Sequence, residues 1–177
     1  GSGANIWKQA QITGNINAPS CMLYLYVSNC LGPVYIDDVN VVLGSTAESG
    51  ANLVGNPGFE SGTNGWNMTG VQAASQTTSG RSHAGANALL LQASSATNSG
   101  GSANSVQQAV TGISSGQFHT LSFWYLASNA VDFVVRFSSH PAMSLLVNVP
   151  SGGTTTNEPD TGGLILQAPQ GAEWKYI

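Results

Sequence analysis

Charge is what this sequence has least of. Only 7% of its 177 residues are Asp, Glu, Lys or Arg, where about a quarter is usual in soluble domains. The net charge of −4 rests on eight carboxylates and four cations. Those cations, Lys8, Arg81, Arg136 and Lys175, stand far apart, so no basic patch exists to neutralise phosphates and nucleic acid is not an expected partner. Long apolar runs are missing too. Nothing approaches the ~20 continuous apolar residues of a membrane span, and Gly1-Ser2-Gly3 opens no signal-peptide pattern, so no membrane association is expected.

Cysteine is nearly absent, with Cys21 and Cys30 alone. An even pair suggests a disulfide in an extracellular protein. If Met22 to Val27 and Val34 to Val42 form a hairpin around Ser28 to Pro33, however, Cys21 lies at the far end of its strand and Cys30 in the turn. Six extended residues span about 20 Å, whereas a bridge needs Cα atoms within about 7 Å. A bridge would require the loop to fold back along the strand.

Catalytic signatures are also missing. His83, His119 and His140 do not cluster, no zinc spacing appears, and no G-x-S-x-G elbow supports a Ser/His/Asp triad. Paired-carboxylate hydrolysis needs two carboxylates about 5 to 9 Å apart across a sugar. Asp37-Asp38 cannot supply them if adjacent strand residues face opposite sides of the sheet. A non-catalytic protein is expected.

What fills the chain is Gly, Ser, Thr, Asn and Ala around a hydrophobic share of 41%. That share and the length suit one domain with a real core. Low charge with many β-branched residues points to a secreted or cell-surface β-protein rather than a disordered one. Apolar and polar residues alternate from Ile6 to Ile16, and strands are read at Cys21 to Val27 and Val34 to Val42, the three forming a meander. Further strands are read at Asn52 to Val54, Gly65 to Val71, Ala88 to Gln92, Ser105 to Val110, Phe118 to Ala127, Val131 to Ser138, Met143 to Val149 and Leu164 to Gln167. Ser151 to Gly163 is read as a loop. No long window shows helical periodicity, so an all-β sandwich of two antiparallel sheets with essentially no helix is expected. Along Leu121 to Leu126 the period of two puts Leu121, Phe123 and Tyr125 on one face, taken as core, and Trp124 on the other.

Two stretches carry a resemblance. Asn52 to Trp66 fits the pattern N-L-x-x-N-x-G-F-E-x-G-x-x-x-W, and Tyr35 to Val41 reads YIDDVNV. In this the chain resembles jelly-roll carbohydrate-binding modules of the family-four and family-nine kind, which occur as tandem modules of secreted bacterial proteins. There the first pattern opens a module and the second closes it. Here the order is reversed, so residues 1–44 correspond to closing strands, 45–51 to a small-residue linker, and 52–177 to opening and central strands, together one β-sandwich. The resemblance implies a jelly roll, circularly permuted or strand-exchanged. It also implies a structural calcium, with Glu60 and an Asp of the Asp37-Asp38 pair brought together; Asn56 and Gly58 could add oxygens, since Ca²⁺ takes six to eight of them.

A polysaccharide or glycan is the implied partner. Its site would be flat aromatic surface beside hydrogen-bonding groups, with Trp124, Tyr125, Trp7 and Trp174 as candidates, and with Tyr24, Tyr26 and Tyr35 as further rings. Trp66 is read as core. Finally, Ile6-Trp7-Lys8 and Glu173-Trp174-Lys175 look like one place in a repeat, spaced almost one module apart. Copies of the chain itself are therefore a second expected partner, joined head-to-tail by strand exchange.

Overall fold

The computed structural model describes residues 6–97, 100–150 and 156–159. Eleven strands run through them: β1 (Lys8–Ile16), β2 (Ser20–Val27), β3 (Val34–Leu43), β4 (Asn67–Met68), β5 (Gln76–Ser79), β6 (Asn87–Leu91), β7 (Val106–Thr111), β8 (Gln117–Leu126), β9 (Val131–Phe137), β10 (Ser144–Val149) and β11 (Thr156–Pro159). Two single 3-10 turns, Gly70–Ala74 and Pro141–Met143, complete the described elements. The strands form two antiparallel sheets, ordered β1-β8-β3-β6-β5 and β11-β10-β9-β2-β7-β4. The protein is an all-β sandwich.

Alternation along the strands decides what lies between the sheets. On β8 Leu121, Phe123 and Tyr125 are all buried, the face expected to be core. Phe133 of β9 meets them from the opposite sheet, its ring centroid 6.0 Å from Phe123 and 5.3 Å from Tyr125. Such aromatic pairs contribute roughly 0.5–1.5 kcal/mol each beyond the area they bury. Leu23, Leu25 and Val27 of β2 and Val34, Ile36, Val39 and Val41 of β3 fill the rest of the layer.

The first three strands are not a meander. β1 and β3 flank β8 in one sheet, while β2 lies between β9 and β7 in the other. Periodicity fixes which side chains point inward but not which strand is the neighbour, and both three-strand arrangements bury the same residues. Without the hairpin, Cys21 and Cys30 point to separate places. Both are free thiols, Cys21 donating to the Ser138 carbonyl at 3.0 Å and Cys30 to the Asp132 carbonyl at 3.4 Å. Asn52 to Val54 is not a ladder strand, Gly65 to Val71 contains only the two residues of β4 before a 3-10 turn, and β11 falls where a loop was read. β5 was missed because QTTS has no apolar residue, being an edge strand beside β6. The expected strand at Leu164 to Gln167 and the tail around Trp174 lie outside the described residues.

The motif from Asn52 to Trp66 is a self-clasped turn that docks on β3. Asn52 acts as a surrogate peptide: its Oδ1 accepts from the amides of Val41 (2.9 Å) and Val54 (3.0 Å), and its Nδ2 donates to the Val39 carbonyl (3.0 Å). Asn56 does the same inside the turn, donating to the carbonyls of Gly62 and Asn64 and accepting from the Ser61 amide. Phe59, fully buried, stacks on Trp66 at 5.2 Å, and the Trp66 indole donates to the Asn56 carbonyl. Trp66 is core, as read.

Candidate functional site

The site grows from a bulge in β3. Between Asp37 and Asn40 β3 advances three residues while β8 advances two, from Trp124 to Ser122. The extra residue is Asp38, with φ at +47°. A bulge of this kind breaks the alternation and re-aims side chains. Adjacent Asp37 and Asp38 therefore do not face opposite sides, as strict alternation required. Both carboxylates reach the β5–β6 loop: Asp37 Oδ2 accepts from the amides of His83 (2.7 Å) and Ala84 (3.2 Å), and Asp38 Oδ2 meets His83 Nδ1 at 2.7 Å.

That loop, residues 80–86, forms a strap across the outer face of the five-stranded sheet. Its far end is held by Glu60, whose Oε1 accepts from the amides of Ala86 (2.9 Å) and Asn87 (3.0 Å). These bonds lower the Glu60 pKa. Gly85 is at φ +66°, a conformation that favours glycine, and a methyl there would push the Glu60 carboxylate out of its place. Asp37 is fully buried under the strap. Desolvation pushes its carboxyl up to about 6, with the amides of His83 and Asp38 partly offsetting the rise.

Two rings of the sheet lie beneath the strap. His83 stacks on Trp124 at 3.8 Å with 10° between the planes, and Trp7 meets the His83 ring edge-on at 5.9 Å. The Arg81 guanidinium carbon lies 5.2 Å from the centre of the Tyr35 ring. Trp124 stands opposite Gln9 of β1 and Asp37 of β3. Glu48, from the segment read as a linker, accepts from both the Trp124 indole and the Gln9 amide at 2.9 Å each. The linker is thus a fixed part of this surface.

The structure brings Trp7 and Trp124 together and separates the other sugar candidates from them. Tyr125 is 2% exposed in the core, because it points to the opposite side of β8 from Trp124; it offers no ring face to a ligand. Trp174 lies outside the described residues. Tyr24 and Tyr26 lie on the other sheet, with Arg136 between them, 5.4 and 5.9 Å from their ring centres, and Gly100 packed against the Tyr26 ring.

Of the residues read as calcium ligands, Asp37 and Asp38 converge. A Cβ on Gly58 would sit 3.4 Å from Asp37 Oδ1 and 3.6 Å from Asp38 Oδ1. Glu60 and Asn56 accept from backbone amides of their own surroundings, and Asp37 likewise accepts from the amides of Asp38, His83 and Ala84. Among the described residues no three His, Cys, Asp or Glu side chains are grouped to hold a metal ion. Two adjacent carboxylate oxygens are hard-donor chemistry that suits Ca²⁺, with most of the remaining oxygens left to backbone carbonyls. His83, which in the sequence only stands apart from the other two histidines, is the side chain that links carboxylates to rings. The signal for it was faint: one histidine in the glycine-flanked run GRSHAG.

Compared with protein-family models, with curated proteins and with solved structures, the chain matches none.

Proposed function

We propose that the chain is a non-catalytic carbohydrate-binding module of a secreted or cell-surface protein, with a jelly-roll sandwich and its sugar site on the outer face of the five-stranded sheet. The reading rests on one observation: Trp7, just before β1, and Trp124 of β8 share a surface patch with the hydrogen-bonding side chains Gln9 and Glu48. A sugar presents an apolar face of C–H groups and an equatorial rim of hydroxyls. Aromatic rings beside fixed polar groups complement both. In affinity electrophoresis through a panel of polysaccharides the chain is expected to be retarded, and Trp124→Ala to migrate freely. Failure of every polysaccharide to retard the unaltered chain would remove this reading.

A structural Ca²⁺ at the Asp37-Asp38 edge belongs to the same proposal. It would neutralise two adjacent carboxylates, one of them buried, and tie the bulge to the turn at Gly58. A ligand bound by the folded chain alone stabilises it by mass action. Chelation is expected to lower the melting temperature, and Asp38→Asn to abolish most of that sensitivity; identical melting curves with and without chelator would exclude the metal.

A second reading, a structural or adhesive module assembling head-to-tail with copies of itself, is supported by the Trp-Lys repeat and by the position of β1 at a sheet edge. Light scattering separates the two, since a strict monomer excludes assembly.

A further inference from the structure

The two basic side chains of the strap each lie on an aromatic ring of the sheet, Arg81 on Tyr35 and His83 on Trp124. We propose that the strap is a lid, and that His83 occupies the face of Trp124 on which a pyranose would stack, so that a sugar must displace it. This rests on the sugar-binding reading of Trp124.

Three observations carry the proposal. First, the contact geometry is that of a ligand. A flat ring parallel to the indole at 3.8 Å stands where a stacked sugar would stand, and it leaves no room for one on that side. Second, apart from the ring contacts of Arg81 and His83, the strap is attached by hydrogen bonds. No residue from 80 to 86 is buried, so lifting it exchanges hydrogen bonds for water without opening the core, the property of segments that move at low cost. Third, its two ends differ. Glu60 clips the far end through Ala86 and Asn87, whereas Gly80, at φ +80°, has nothing within 4 Å of where a Cβ would be. Once the bonds of His83 and Ala84 to Asp37 and Asp38 are exchanged for water, the near end can swing while the far end stays clipped, carrying Arg81 and His83 off both rings together. What opening uncovers is a pair of adjacent rings on neighbouring strands, Tyr35 and Trp124, with Asp37 and Gln9 alongside. A lid of this kind sets specificity as well as affinity, because only a ligand that covers both rings replaces both contacts it removes.

The test uses the whole chain, with cellohexaose, xylohexaose and laminarihexaose as probes. In the absence of sugar, His83→Ala is expected to raise acrylamide quenching of tryptophan fluorescence, and most of the rise is expected to be lost in a Trp124→Phe background, the remainder coming from Trp7 at the edge of the His83 ring. Calorimetry is expected to show His83→Ala binding the retained oligosaccharide roughly two- to tenfold more tightly than the unaltered chain, the size of one aromatic stacking contact. Arg81→Ala, which loosens the strap without touching Trp124, is expected to shift affinity in the same direction. Unchanged quenching overturns the lid. Weaker binding by His83→Ala also overturns it, making His83 part of the platform and leaving the sugar reading intact. Raised quenching with no binding of any probe by either protein overturns the sugar reading, and with it the lid's role.

Discussion

Asp37 is the residue where burial and charge conflict most. Its carboxyl, raised to about 6 from an ordinary value near ~3.9, holds a proton between about pH 4 and 6 that the unfolded chain has lost. The folded state then binds more protons than the unfolded one, so stability rises as pH falls through that window. Glu60 acts oppositely and elsewhere: its pKa is lowered, so its contribution is lost only below its unfolded value of about 4.3. In chelator the melting temperature is therefore expected to rise from pH 7 to pH 5, and Asp37→Asn to flatten that rise. A slope that survives in Asp37→Asn would assign it to another group. Much at this scale was legible. The face of β8 that carries Phe123 is core, and Trp124 is outside it, as the period of two requires. Tyr125 could not be both core and platform, and that same period already placed it inside. His83 was hidden because its importance comes from a bulge at Asp38 that no alternation pattern announces.

At the scale of elements, side-chain amides do the work of missing strands. Asn52 bonds three backbone groups of β3 and its own turn. Gln108 of β7 accepts from the Gly55 amide at 2.7 Å and donates to the carbonyls of Gly55 and Gly65. Gln72, fully buried, forms the same two-way pair with the backbone of Val27. Each supplies the donor and acceptor that a neighbouring strand would have given, which is why the chain can run beside a sheet without joining its ladder. Asn52→Ala leaves the Val41 amide without its partner and is expected to cost roughly 2–3 kcal/mol, lowering the melting temperature by roughly 5–10 °C. A shift of a degree or less would show that water replaces the clasp. The pattern from Asn52 to Trp66 was visible as a unit in the sequence. Its function as a clasp was not, since a lone Asn spacing does not say which carbonyl it meets.

The first third of the chain supplies one interior strand to each sheet, β3 and β2, and the edge strand β1. Removing residues 1–11 would strip β8 of its partner from Ser122 to Tyr125 and take away Trp7 and Gln9. Such a deletion is expected to aggregate through the exposed edge, and a soluble variant with an unchanged melting curve would show that β1 is dispensable. The sandwich class followed from alternation and turn spacing, but strand order did not, because every pairing of β1, β2 and β3 joins segments far apart along the chain. That distance has a consequence for synthesis. β2 waits for β7 and β9 and β1 for β8, while β3 meets β6 first and β8 later, so β1 and β2 have no sheet neighbour until residues 106–126 exist. At about 5–20 residues per second, the nascent chain carries these two strands unpaired for roughly 4 to 20 seconds. It is a late folder by order of manufacture, and its yield in a cell will follow what shields those strands during that interval.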